Sequence, residues 1–112
     1  MVKYQRAADL NAVLAAVSDP TRRAIVECLS QGPSTISTIA SRFPMSLPGF
    51  CKHVRILERS GLVRRRHQGR ENTLELTPEP LQDVAQWAFS YSRFWNTKLD
   101  QMESYFAAKR GN

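Results

Sequence analysis

Apolar residues recur at helical spacing in the first part of the chain, and this pattern predicts two helices. The first helix covers residues 9–17. The second begins directly after Asp19, which supplies an N-cap, and Pro20, which suits the first helical position. Gly32 and Pro33 are expected to end it, because glycine accepts a left-handed conformation and proline cannot continue the hydrogen-bond ladder.

Two shorter amphipathic segments follow and predict a third and a fourth helix. Ser34 is expected to cap the third, whose apolar stripe runs over residues 36–43. Ser46 is expected to cap the fourth, which continues to about Ser60 and stops before Gly61. The fourth helix is therefore separated from the third by only a few residues.

The hydrophobic period changes to two after the fourth helix. Leu62 and Val63 alternate into the basic run, residues 73–76 alternate again, and Gln68 and Gly69 lie where a turn is expected, so a small hairpin is predicted. From residue 81 to about residue 108 neither glycine nor proline interrupts a helical pattern, which predicts one long final helix. The fold class expected is mostly α with a small β-hairpin (α+β): a winged helix-turn-helix that ends in a long dimerisation helix.

Positive charge is concentrated in one segment of the chain. Residues 52–70 carry seven of the sixteen basic side chains and one acid, Glu58, so their net charge of +6 equals that of the whole chain. A helical wheel places Phe50 on one side of the fourth helix and Lys52 and Arg55 on the other. Such a helix suits the major groove of DNA, with the basic hairpin as a wing beside it. The alternative is a charged face that only meets solvent.

The candidate DNA contacts belong to the fourth helix and to the wing. On the helix they are Ser46, Leu47, Pro48, Gly49, Cys51, Lys52, His53 and Arg55, and in the wing they are Arg64, Arg65, Arg66, His67 and Arg70. Packing beneath the helix is the favoured alternative for Leu47, and a hydrogen-bonded structural role is favoured for His53. Strand alternation predicts that Arg65 and His67 share one face of the wing, with Arg64 and Arg66 on the other.

Three segments resemble the ArsR family of bacterial transcriptional regulators: DPTRRAI at residues 19–25, FPMS at 43–46 and KHVRILERSGLV at 52–63. The resemblance implies a homodimer that binds an operator and usually represses transcription until a signal releases it. At the first position of the fourth helix many relatives have glutamine, whereas this chain has Leu47.

The third helix has no thiol and residues 81–112 have no histidine. Neither familiar metal site of the family is therefore expected, and no cofactor is expected.

Seven of the ten aromatic residues lie in the predicted final helix, at spacings that suit packing between helices. The candidate dimer interface consists of Leu10 and Leu14 of the first helix with Leu81, Ala88, Tyr91, Trp95, Leu99 and Met102 of the last. A pocket for an apolar effector is the alternative use of these aromatics. We expect one domain over residues 1–112, divided into an N-terminal dimerisation helix (1–18), the DNA-binding core and wing (19–76) and a C-terminal dimerisation helix (77–112).

Composition narrows the class of protein. No stretch is apolar for eighteen residues and the amino terminus lacks a secretory pattern, so a cytoplasmic protein is expected. No set of nucleophile, base and orienting group is apparent, which argues against an enzyme. Double-stranded DNA is the expected partner, with a protein-interaction module as the alternative. The thiol of Cys51, beside Lys52 near a helix start, also leaves a redox-responsive regulator open, although inert packing is favoured.

Overall fold

The computed structural model describes residues 10–110. Its helices are α1 (residues 10–16), α2 (Pro20–Leu29), α3 (Ile36–Ala40), α4 (Leu47–Arg59), α5 (Glu79–Phe89) and α6 (Ser92–Arg110). Its strands are β1 (Ser34–Thr35), β2 (Val63–Gln68) and β3 (Glu71–Leu76), which form one antiparallel sheet in the order β1-β3-β2. The predicted fold class, mostly α with a winged helix-turn-helix, is confirmed. The start of the predicted first helix, at Asp9, lies outside the described residues.

Local capping explains where the two central helices begin. The backbone N–H of Arg22 donates to the Asp19 carboxylate at 3.0 Å, and Pro20 opens α2. The N–H of Gly49 donates to the hydroxyl of Ser46 at 3.2 Å, which caps α4. Each cap satisfies an N–H group that has no partner within its own helix. Both predicted caps are confirmed.

The beginning of α3 differs from the prediction. Thr35, and not Ser34, caps this helix, because its hydroxyl accepts the N–H that the first turn leaves unpaired. Ser34 instead pairs with Leu74 as part of β1, which adds a third strand to the predicted hairpin. The helix ends at Ala40, so Phe43 lies beyond it. A strand of two residues is too short to show a period in the sequence.

The expected unbroken helix over residues 81–108 is wrong, because α5 and α6 are separated at Ser90 and Tyr91. The hydroxyl of Ser90 donates to the carbonyl of Trp87 at 2.6 Å. The N–H of Tyr91 bonds to Ala88, three residues back. A serine hydroxyl bonded to a carbonyl of its own helix slightly destabilises the helix and often bends it. The 19 residues of α6 still form a long C-terminal helix.

The buried core lies between α1 to α4 and the sheet. Its apolar members are Val13, Ala16, Ile25, Leu29, Ile39, Phe50, Val54, Leu57, Leu62, Val63 and Leu74. Leu81 and Val84 of α5 pack against the edge of this core, whereas no described residue of α6 is buried. No helix within residues 10–110 combines the length and the apolarity needed to cross a membrane.

Candidate nucleic-acid interface

The two sides of α4 differ in burial and in charge. Phe50, Val54 and Leu57 are fully buried, as predicted, and Lys52 and Arg55 are exposed on the opposite side. Within residues 10–110 neither cation forms an ion pair. The core therefore holds one side of α4, while uncompensated positive charge covers the side that faces outward.

The first turn of α4 presents small and apolar groups to the surface. Leu47 keeps 57% of its surface exposed, so the favoured packing role beneath the helix is wrong. A Cβ atom at Gly49 would lie 3.1 Å from the capping hydroxyl of Ser46. Glycine at this position thus leaves room for the cap, which explains a residue that otherwise weakens a helix. DNA contact by Ser46, Leu47, Pro48 and Gly49 stays a prediction.

His53 belongs to a polar cluster that joins three helices. Its Nδ1 atom lies 3.2 Å from a terminal nitrogen of Arg22 and 3.8 Å from the carboxylate of Asp19. Arginine can only donate, so Nδ1 is the acceptor of this hydrogen bond. Arg22 also donates to the carbonyl of Ala16 at 2.6 Å. The N–H of Arg22 holds the pKa of Asp19 below its ordinary value. These bonds are those of the structural histidine favoured by the sequence, and DNA contact by His53 stays a prediction.

Two carboxylates hold three of the wing arginines. The Glu75 carboxylate accepts from Arg64 through one oxygen and from Arg66 through the other, the latter at 2.9 Å. Hydrogen bonds from these two arginines, Arg64 first, lower the pKa of Glu75. On the opposite face of the sheet, Arg65 donates to Glu58 of α4 at 2.9 Å. The predicted separation of Arg65 from its two neighbours is confirmed.

The concentration of positive charge in residues 52–70 did not reveal that Glu75 binds two of the wing arginines. This residue lies outside the basic segment, yet the sheet register places it directly opposite Arg64. A residue and its cross-strand partner project from the same face of a sheet, so their charges meet. The structure places the turn at Gly69 and Arg70, one residue later than predicted, and pairing about Gln68 and Gly69 would have set Thr73, not Glu75, opposite Arg64. Arg70, in the turn itself, has no ion pair in the described part of the chain.

A groove of about 390 Å³ separates the start of α4 from the wing. It is lined by Thr35, Ile36, Ser37, Leu47, Cys51, Arg65, Arg70, Glu71 and Asn72. Cys51 is half-buried there, and the side-chain oxygen of Asn72 is buried without a hydrogen-bond partner among the described atoms. The two arginines of this groove can hold an anionic group.

The predicted dimer residues fall on three helices instead of two. Leu10 and Leu14 are half-buried on α1, and Leu81 is half-buried on α5. The others are exposed: Ala88 on α5, Tyr91 between the helices, and Trp95, Leu99 and Met102 on α6. Because the chain bends at Ser90, the heptad pattern is continuous only within α6. Their part in an interface between subunits stays a prediction.

A helix that exposes a basic face, rests on a small helical core and is flanked by a hairpin defines the winged helix-turn-helix class of DNA-binding proteins. Residues 17–66 match the family model described as a helix-turn-helix domain. The transcriptional repressor SdpR of Bacillus subtilis is 33% identical over 82 residues, which cover 73% of this chain and 91% of that protein. The HTH-type transcriptional regulator Rv2034 of Mycobacterium tuberculosis is 36% identical over 84 residues, 75% of this chain and 76% of that one.

A solved structure also resembles this chain. The crystal structure of an ArsR family transcriptional regulator is 42% identical, with a TM-score of 0.73, and the match covers 80% of this chain and 92% of that one. The chain belongs to the ArsR family of winged helix-turn-helix transcriptional regulators. It is a DNA-binding regulator of transcription.

Proposed function

We propose that the protein is a homodimeric repressor that binds an inverted-repeat operator, with Ser46 to Arg55 of each subunit in a major groove. The observation that carries this proposal is the exposed, unpaired charge of Lys52 and Arg55, on a helix whose other side is fully buried. The name of the relative SdpR supports repression. Two-fold symmetry of a dimer predicts the symmetry of its operator.

In this proposal the three parts of the chain have separate roles. Residues 19–76 bind DNA, with the wing at Arg64 to Arg70 beside the recognition helix. Residues 1–18 and 77–112 join the subunits through the predicted interface residues. The exposed apolar side chains of α6 support this division, because a surface of that kind is usually covered by a partner.

Binding of the purified protein to its own upstream DNA and to scrambled DNA, measured over a range of salt concentrations, tests the proposal. Lys52→Ala should weaken binding to the upstream DNA by about 10-fold, since one contact to a base or phosphate is worth roughly 1–3 kcal/mol. Arg93→Ala removes the same charge from α6 and serves as the control. Equal affinities for Lys52→Ala and wild type would contradict the placement of α4 in the groove, and the absence of any salt-dependent binding would favour a protein-interaction module.

The half-buried thiol of Cys51 on the DNA-facing side of α4 favours a second candidate, regulation by oxidation. An oxidised sulfur there would add bulk beside the recognition helix. Peroxide should then weaken DNA binding by the wild type and leave the Cys51→Ser variant unchanged. An identical response of the two proteins would remove this candidate.

A further inference from the structure

The ion pairs divide the four wing arginines into two sets. Arg64 and Arg66 project from the face of the sheet that carries Glu75, which binds both. Arg65 projects from the other face, where Leu74 is buried against the core, and Arg70 lies in the turn at the tip. Only Arg65 and Arg70 line the groove beside α4.

Glu58 fixes the position of Arg65 relative to the recognition helix. The two side chains are 29% and 28% exposed, so they are mostly shielded from solvent, and their contact at 2.9 Å links α4 to β2. A guanidinium group has five N–H donors in a rigid plane. The bond to Glu58 uses one of these, which leaves the others for a second anion.

We propose that the groove between α4 and the wing binds one phosphate of the DNA backbone through Arg65 and Arg70, with Glu58 as the positioning residue that orients Arg65. The proposal rests on the proposed function and adds a defined subsite to it. Guanidinium groups match the geometry of phosphate oxygens, and phosphate contacts fix the register of a protein on DNA. Arg64 and Arg66 lie outside this site, held by Glu75. The carboxylate of Glu71 also lines the groove and repels a phosphate there.

Arg70→Gln and Arg64→Gln each remove one positive charge. Comparing their DNA affinities distinguishes a contact in this groove from the general attraction of a basic protein to DNA. Arg70→Gln should weaken binding to upstream and scrambled DNA alike, by about 5-fold at 0.1 M salt, and should reduce the salt slope by about 0.9. Arg64→Gln should weaken both affinities less than Arg70→Gln does, because Glu75 holds Arg64 on the face of the sheet that points away from the groove. If the two variants weaken binding equally, net charge alone matters and the proposed subsite is wrong.

Glu58 of α4 and Glu71 of the wing supply a test of how Arg65 is positioned. Glu58→Gln and Glu71→Gln each raise the net charge by one. Glu71→Gln should strengthen DNA binding, since it removes a repelling group from the groove, whereas Glu58→Gln should weaken it because Arg65 is no longer oriented. Strengthening of equal size in both variants would show that Glu58 only repels DNA, and would overturn its positioning role.

Ethylation of individual phosphates locates the contact on the DNA. Wild type should be blocked by ethylation at one phosphate in each half-site, and Arg70→Gln should be insensitive at that position alone. Thermal unfolding of each variant verifies that the fold is kept. Failure of wild type to bind DNA would overturn the proposed function itself, whereas specific binding with identical interference patterns for the two proteins would overturn only the subsite.

Discussion

Phe50 and Lys52 are two positions apart in α4 and lie in opposite surroundings. Phe50 is fully buried, with its ring centre 5.5 Å from that of Phe43, whereas Lys52 is exposed. A helix turns about 100° per residue, so these positions project nearly opposite to each other. The sequence predicted both environments correctly because the helical period alone separates them.

Replacing Phe50 by alanine should therefore destabilise the whole core. The expected loss in the free energy of unfolding is about 3–5 kcal/mol, from lost apolar burial and the cavity left behind. Leu47→Ala, at an exposed position of the same helix, should change it by less than about 0.5 kcal/mol. Urea denaturation followed by circular dichroism measures both, and similar losses would contradict the assignment of the buried side.

At the scale of elements, the wing is a strand pair whose register decides where its charges go. Arg64 faces Glu75 across the pair, and Arg66 is one diagonal step away, so one carboxylate bridges two arginines. The hairpin could be predicted from the alternation, but its register could not, because the turn lies at Gly69 and Arg70, one residue beyond the predicted position. The contact between Arg65 and Glu58 could not, because it depends on how β2 packs against α4.

The pH dependence of stability should reveal the Glu75 cluster. Its pKa lies below the ordinary value of 4.5 because Arg64 and Arg66 bind the charged form. The unfolded chain therefore takes up a proton first as the pH falls, so the stabilisation is complete above about pH 4.5 and is lost through the lower folded pKa. Glu75→Gln should flatten the decline of unfolding free energy in this acid window.

Glu71→Gln is the matched control for that measurement, since Glu71 lies in the same strand and has no ion pair among the described residues. Chemical denaturation at a series of pH values should give this variant the slope of the wild type. Equal slopes for the Glu75→Gln variant and the wild type would show that the cluster contributes nothing to acid stability.

The whole molecule is extended, with a radius of gyration of 18.7 Å against about 13 Å for a compact domain of this length. The C-terminal helix α6 keeps Leu99 60% exposed and Trp95 56% exposed. Hydrophobic groups in such a row gain stability when a second helix covers them. The extended shape thus supports the proposed homodimer.

Leu99→Glu should separate the subunits, because dimerisation would bury an unpaired carboxylate. The dimer dissociation constant should rise by at least about 100-fold. Ser104→Glu adds the same charge on the polar side of α6 and should change it by less than about threefold. Sedimentation equilibrium measures both, and an intact Leu99→Glu dimer would place the interface elsewhere.

The sequence by itself determined the order of the helices, their caps at Asp19 and Ser46, the buried side of α4 and the location of the basic segment. These features depend on the period of apolar residues and on contacts between residues that are close together in the sequence. Both can be read directly from the amino-acid sequence. The break at Ser90 is also local, but a serine hydroxyl competes for a helical carbonyl only in some settings, and no pattern of glycine or proline marks it.

Only the tertiary structure decided which basic side chains are available. Glu75 binds Arg64 and Arg66 on one face of the sheet, whereas Glu58 positions Arg65 on the face beside the groove. It also decided the pairing of Ser34 with Leu74, forty positions apart. The reason is physical: an ion pair or a strand ladder depends on distance in space, and packing brings together groups that are far apart along the chain.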